Sequence, residues 1–148
     1  MLKGTIGGSL LILTLGVWSA FAQTNFDGRS LAGIKKDYKA VGAVAQVKIN
    51  KITPVAKDIS QLYAVDSEII ETFKGAMKKG TALTFYFSAE EGYDAQSLAG
   101  REWVVFLDRQ RPVPAGGKGW YELENSKLSA SEKLSAQLRK LKAPGKKS

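Results

Sequence analysis

In VGAVAQVKIN, residues 41–50, Val41, Ala43, Ala45, Val47 and Ile49 alternate with Gly42, Gln46, Lys48 and Asn50, broken only by Val44. A period of two turns every other side chain to one face, so the segment is expected to be a strand with one buried side. Such a strand needs neighbours, and similar segments follow. Tyr63, Val65, Ile69 and Phe73 are expected on one face of a second strand, opposite Asp66, Glu68 and Thr72. The adjacent Ile69 and Ile70 break the alternation and predict a bulge. Leu83, Phe85 and Phe87 alternate with Ala82, Thr84 and Tyr86 in a third strand. Pro54 in TPVAKD punctuates the first pair of strands, because proline cannot donate to a ladder. KGAMKKG reads as a cationic turn, SAEEGYDAQSLAG as a crossing loop and RQRPVPAGGKG as a loop that ends regular structure.

In LAGREWVVFLDR, residues 98–109, five apolar residues stand between the charged pairs Arg101-Glu102 and Asp108-Arg109. They make a fourth strand, and a fifth, short one covers Trp120, Tyr121, Glu122 and Leu123. Five strands without long intervening helices predict a small barrel or sandwich. In a closed barrel, Trp103, Val105 and Leu107 point inward while Val104 and Phe106 face outward and need cover. The C-terminal segment can supply it. In SASEKLSAQLRKLKAPG, Leu134, Leu138 and Leu141 recur on one helical stripe, Ser129 and Glu132 have capping-box spacing, and Pro144-Gly145 ends the pattern.

The first 22 residues read as a secretory signal: Lys3, an apolar centre from Leu10 to Val17, and Ala20 and Ala22 around Phe21. Cleavage is expected after Ala22, releasing a chain that starts at Gln23 and resides in the periplasm or outside the cell. The expected organisation is then a polar segment at 23–37 with a helical turn at Leu31 to Lys36, a β-barrel at 38–126, and a basic helix and tail at 127–148.

The sequence contains no cysteine and no histidine. Disulfides therefore cannot hold the domain together, and Cys/His zinc sites and nucleophile–histidine pairs are excluded. No cofactor or metal is expected. Glu90, Glu91 and Asp94 lack an EF-hand pattern and read as a solvated acidic loop. Gly116, Gly117, Lys118 and Gly119 lack the P-loop order and lead into a strand.

The net charge of +8 is unevenly placed. Residues 127–148 hold seven Lys/Arg against Glu132, whereas residues 23–126 hold 14 bases and 13 acids. Nucleic-acid-binding domains carry a basic stripe across the folded surface, so a near-neutral body speaks against nucleic acid. Arg139, Lys140, Lys142, Lys146 and Lys147 instead suit contact with an anionic membrane surface or another envelope polyanion.

The order DYKAVGAVAQVKINKI, YAVDSEIIETFKGAMKKGTALTFYF, LAGREWVVFLDR and GWYELEN resembles the exported, netrin-module-like OB-fold domains related to tissue inhibitors of metalloproteinases. The resemblance covers residues 37–125 and implies a mainly β fold: a five-stranded OB-like barrel with, here, a C-terminal amphipathic α-helix. The inhibitors depend on an N-terminal cysteine and a disulfide-stapled scaffold that this chain lacks, so metalloproteinase inhibition is not implied.

OB folds bind along strands two and three, between the loops joining strands one to two and four to five. By that analogy the candidate ligand site comprises Lys57, Arg109, Arg111 and Lys118, with Tyr86 and Trp120 as aromatic platforms. The resulting expectation is an exported, noncatalytic binding or envelope-associated module whose partner is a protein or an envelope polyanion. The alternative is a carboxylate-dependent hydrolase of glycans or peptides using Glu90, Glu91 or Asp94, which would need two carboxyl groups facing each other across a substrate.

Overall fold

The structure is a computed structural model that describes residues 25–57 and 60–142. The signal segment, its cleavage point after Ala22, and Lys146 and Lys147 lie outside the described residues. Within the described residues, eight strands and two helices follow in order: β1 (Asn25–Phe26), β2 (Arg29–Ser30), α1 (Leu31–Ala40), β3 (Ala43–Lys57), β4 (Ser60–Lys74), β5 (Ala82–Glu90), β6 (Glu102–Pro112), β7 (Lys118–Glu122), β8 (Leu128–Ser129) and α2 (Glu132–Lys142). A 3-10 turn at Ala95–Leu98 sits between β5 and β6.

Strands β3 to β7 close a five-stranded barrel in the order β3-β4-β5-β7-β6, and β6 returns to β3. All barrel pairings are antiparallel except β5 with β7. This is the mainly β, OB-like barrel expected from the sequence, with α2 behind it. The second edge of β6 is divided: β7 pairs with Leu107 to Pro112, and β8 pairs with Trp103 and Val104.

Two apolar cores lie on opposite sides of the same strands. Val47, Ile49, Val65, Ile69, Phe85, Val105 and Leu107 fill the barrel, with Trp103 and Trp120 half-buried against them. Val44, Phe73, Val104 and Phe106 face outward into a second core with Ile34 of α1 and Leu128, Leu134 and Leu138. The uninterrupted run Trp103 to Leu107 is thus explained by burial on both faces. Either face left in water would forfeit about 25 cal/mol for each Å² of apolar surface.

Several elements depart from the sequence expectation. The helical turn at Leu31 to Lys36 is a ten-residue helix reaching Ala40. The Ser30 hydroxyl accepts from Gly33 N–H at 3.1 Å and caps its start, and Ile34 in the outer core anchors it. The first strand consequently begins at Ala43, and it runs through Pro54 to Lys57. Proline is tolerated because β6 pairs only with Ala43 to Lys48, leaving Pro54 on an edge-like stretch.

Register shifts between β3 and β4 include the expected one near Ile70, where Gln46 pairs with Glu71 but Val47 pairs with Ile69. Because this bulge reverses parity, Thr72 pairs with inward-facing Ala45 and Phe73 lies in the outer core, away from the barrel interior assigned to it by alternation; a further shift follows at Val44/Ala45. The loop expected at 109–119 is largely a hairpin: β6 continues to Pro112, β7 starts at Lys118, and the turn uses Gly116 and Gly117 at φ +95° and +76°. The crossing loop is shortened by the extension of β5 to Glu90. Finally, Ser131 caps α2, its hydroxyl accepting from Leu134 N–H at 3.2 Å, whereas Ser129 belongs to β8 and its N–H donates to Asp27 at 2.6 Å.

Candidate functional site

The parallel strands β5 and β7 share only two register pairs, Phe85 with Trp120 and Tyr86 with Tyr121. Past that point β7 follows β6, pairing Glu122 with Leu107, and Leu123 N–H donates to the Phe106 carbonyl at 2.8 Å. β5 instead follows β4 as far as Glu90. The two strands part, and the gap between them is a cleft of about 640 Å³ lined by residues of β5, β6, β7 and the β7–β8 turn. Its volume falls within the range of small-ligand and peptide side-chain sites.

A buried ion pair lies in this gap. Trp120 packs into the barrel interior, and two residues on, Glu122 is also buried. The turn from Leu123 to Ser126, held by the Ser126 hydroxyl donating to Leu123 O at 2.6 Å and by Asn125 at φ +54°, folds Lys127 back onto it. The Lys127 ammonium donates to both carboxylate oxygens of Glu122 at 2.8 and 2.7 Å and stands 4.3 Å from the centre of the Phe87 ring. Side-chain exposure is 3% for Glu122 and 12% for Lys127. Burial pushes the Glu122 carboxyl above the usual carboxylate range, and the nearby Lys127 charge opposes that rise.

Aromatic side chains wall the cleft. Tyr93 meets Phe87 edge-on at 6.2 Å and remains 46% exposed. Its hydroxyl is held above the ordinary tyrosine value, chiefly by burial and further by Glu122 and Asp94. Tyr121 stacks on Tyr86 at 5.4 Å, donates its hydroxyl to Pro112 O at 3.0 Å, and carries the Arg111 guanidinium 4.3 Å above its ring. Glu90, Asp108 and Glu124 also line the cleft, giving it more carboxylates than cations.

The residues singled out from the sequence are distributed unevenly around this feature. Tyr86 and Arg111 come together through Tyr121. Arg109 is a strand residue beside Asp108 at 3.7 Å, and Lys118 is exposed at the start of β7. Trp120 turns inward, so close that a Cβ placed on Gly42 would lie 3.0 Å from its ring. Lys57 ends β3, opposite Gln61, whose β5 partner Ala89 lies at the far end of the barrel from Lys118. The expected set therefore spans the length of the barrel.

Of the acidic trio, Glu90 reaches the cleft rim, while Glu91 and Asp94 are exposed. Among the described residues no group of three or more potential metal-ligating side chains converges. In the tail set, Arg139 is engaged with Glu71 and Glu132, and Lys142 donates to Thr72 O at 3.0 Å; Lys140 is exposed.

Glu122, Lys127 and Tyr93 were not singled out from the sequence. Strand parity carried one usable signal, since an inward Trp120 places Glu122 inward too, and an inward carboxylate needs a partner. In comparisons with known proteins, no protein-family model matches the chain and no curated protein matches it.

Proposed function

We propose that the protein is an exported, noncatalytic binding module of the cell envelope, built on a netrin-module-like OB barrel, with its ligand seat in the cleft between β5 and β7. One observation carries this reading: the parted parallel strands open a concavity of about 640 Å³ whose buried pair, Glu122 and Lys127, is already held in place. Preorganised polar groups among aromatic walls favour binding, because little ordering is left to be done when a ligand arrives. Lys140, Lys146 and Lys147 supply a second, electrostatic attachment to an anionic membrane or envelope polyanion.

The carboxylate-dependent hydrolase remains the competing reading, and Glu122 would be its best acid. Against that role, Glu122 is buried and Lys127 engages both of its oxygens, so its charge is already paired within the protein. The reading is tested by replacing exposed Ser88, beside the cleft, with a photo-crosslinking phenylalanine analogue in the protein produced in its native host. The same substitution at exposed Lys36 on α1 is the control. A discrete adduct from Ser88 but not Lys36, on a protein whose N-terminus maps near Gln23, is expected. Equal or absent adducts, or retention of residues 1–22, would overturn the proposal.

A further inference from the structure

The cleft has one wall that is backbone rather than side chain. Among the described residues, β5 is paired on its second edge only at Phe85 and Tyr86. In an antiparallel strand every second residue turns its N–H and C=O away from the partner, so alternate residues between Phe87 and Glu90 turn ladder groups toward the cleft, where the Glu90 carbonyl already accepts from Tyr93 N–H at 3.2 Å. Sheet edges in native proteins are normally blunted by lysine, proline or bulges. The edge-like half of β3 follows that practice, with Lys51, Pro54 and register shifts at Asn50 and Val55. β5, ALTFYFSAE, has no lysine, no proline and no register shift against β4. Its edge carries none of these blunting features, and Ser88 and Glu90 are exposed on it.

We infer that this edge receives an extended, lysine- or arginine-bearing segment of a partner protein, added as a strand beside Phe87 to Glu90. The inference rests on the binding-module reading and names its partner class. Strand addition takes its affinity from main-chain hydrogen bonds and its selectivity from alternate side chains. Selectivity here is set by charge. Lys127 neutralises Glu122 at the base of the cleft, and among the other lining residues Glu90, Asp108 and Glu124 outnumber Arg111, with Arg109 standing 3.7 Å from Asp108 outside the lining. The face of Phe87 already holds an ammonium 4.3 Å from its centre, and half-exposed Tyr93 beside it offers an aromatic surface to a second cation.

The test uses the full mature chain and three synthetic peptides: KVKVKVK, its counterpart EVEVEVE, and KVKVKVK methylated on alternate backbone nitrogens. Binding is read by fluorescence anisotropy at low salt and by amide shifts in nuclear magnetic resonance. KVKVKVK is expected to bind and to shift the amides of Phe87 to Glu90. Backbone methylation and the Glu90→Lys/Glu124→Lys double variant should each weaken it about tenfold or more, equivalent to about 1.4 kcal/mol. Circular dichroism of the double variant should match the parent. Equal binding of EVEVEVE, indifference to methylation, or shifts confined to other strands would overturn the inference. So would the same β5 shifts appearing with self-association and no peptide, which would make a second copy the occupant. If no peptide binds while the Ser88 adduct persists, only the strand-addition inference falls. If the adduct is missing too, the binding-module reading falls with it.

Discussion

Arg139 on α2 grips Glu71 on β4 with two nitrogens, Nε to Oε2 and Nη2 to Oε1, each at 2.7 Å, while its third nitrogen reaches Glu132 at 2.8 Å. This fork, with Lys142 on Thr72 O, fixes the helix against the barrel wall at the rim of the outer core. Hydrogen bonds from Arg139 hold the Glu71 carboxyl below its usual range. A carboxyl depressed in the folded state contributes stability above its unfolded value, about 4.3, which is lost as pH falls through the lower folded value. Thermal melts between about pH 6 and pH 2 should therefore show an acid loss that Glu71→Gln makes shallower. The effect is small because both groups are partly exposed and water screens them. Identical acid limbs in the two proteins would count against it.

The buried pair has the opposite sign. Replacing Lys127 by Met leaves Glu122 buried without its counter-charge and should cost about 3 to 5 kcal/mol at neutral pH, whereas Glu122→Leu with Lys127→Met should fall near parental stability or above it. In the single variant the raised carboxyl stabilises the fold only when protonated. Stability should accordingly be greatest below about pH 4 and decline as pH rises through the folded value. Urea titrations of the four proteins of this cycle check both statements, and additive effects of the two substitutions would show that the pair is not coupled.

Burial on two faces predicts an order among substitutions in and against β6. Phe106→Ala and Leu138→Ala open the outer core and should cost about 3 to 5 and about 2 to 5 kcal/mol respectively. Trp103 is half-buried at the rim, its indole N–H donating to Leu98 O at 3.2 Å with Arg101 5.2 Å from its ring. Its replacement by Ala should cost less than that of Phe106. Chemical denaturation would reverse this reading if Trp103→Ala proved the more damaging change.

The tail carries two kinds of cation. Neutralising Lys140, Lys146 and Lys147 to Gln should leave the melting transition unchanged and weaken binding to phosphatidylglycerol-containing vesicles, an effect that added salt should reproduce because exposed charges are screened. Arg139→Gln should lower the melting transition, since it removes the fork to Glu71. Unaltered vesicle binding by the triple variant at low salt would remove the electrostatic attachment from the proposal.

How much is legible in the sequence depends on whether a residue's role is local. Alternation in Val41 to Ile49 and Leu83 to Phe87, and the leucine stripe of α2, determine strands and a helix because side-chain direction repeats with period 2.0 or 3.6 whatever surrounds them. The same periodicity places Val105 and Leu107 inside and Val104 and Phe106 outside, as observed, whereas the outer cover is shared by Ile34 of α1, Leu128 and the leucines of α2. Parity fails wherever a strand takes an extra residue, so Phe73 is assigned to its core only by the β3–β4 register.

The cleft was decided by tertiary structure alone. Its two walls meet where Phe85 pairs with Trp120 and Tyr86 with Tyr121, and it opens because past Tyr121 β7 stays with β6 while β5 stays with β4. Neither strand's own pattern specifies that contact or its end after two residue pairs, because local periodicity carries no information about which strands become neighbours. Glu122 and Lys127 follow the same logic. Their spacing in the sequence is ordinary, and only closure of the barrel removes water from both and makes each the other's required partner.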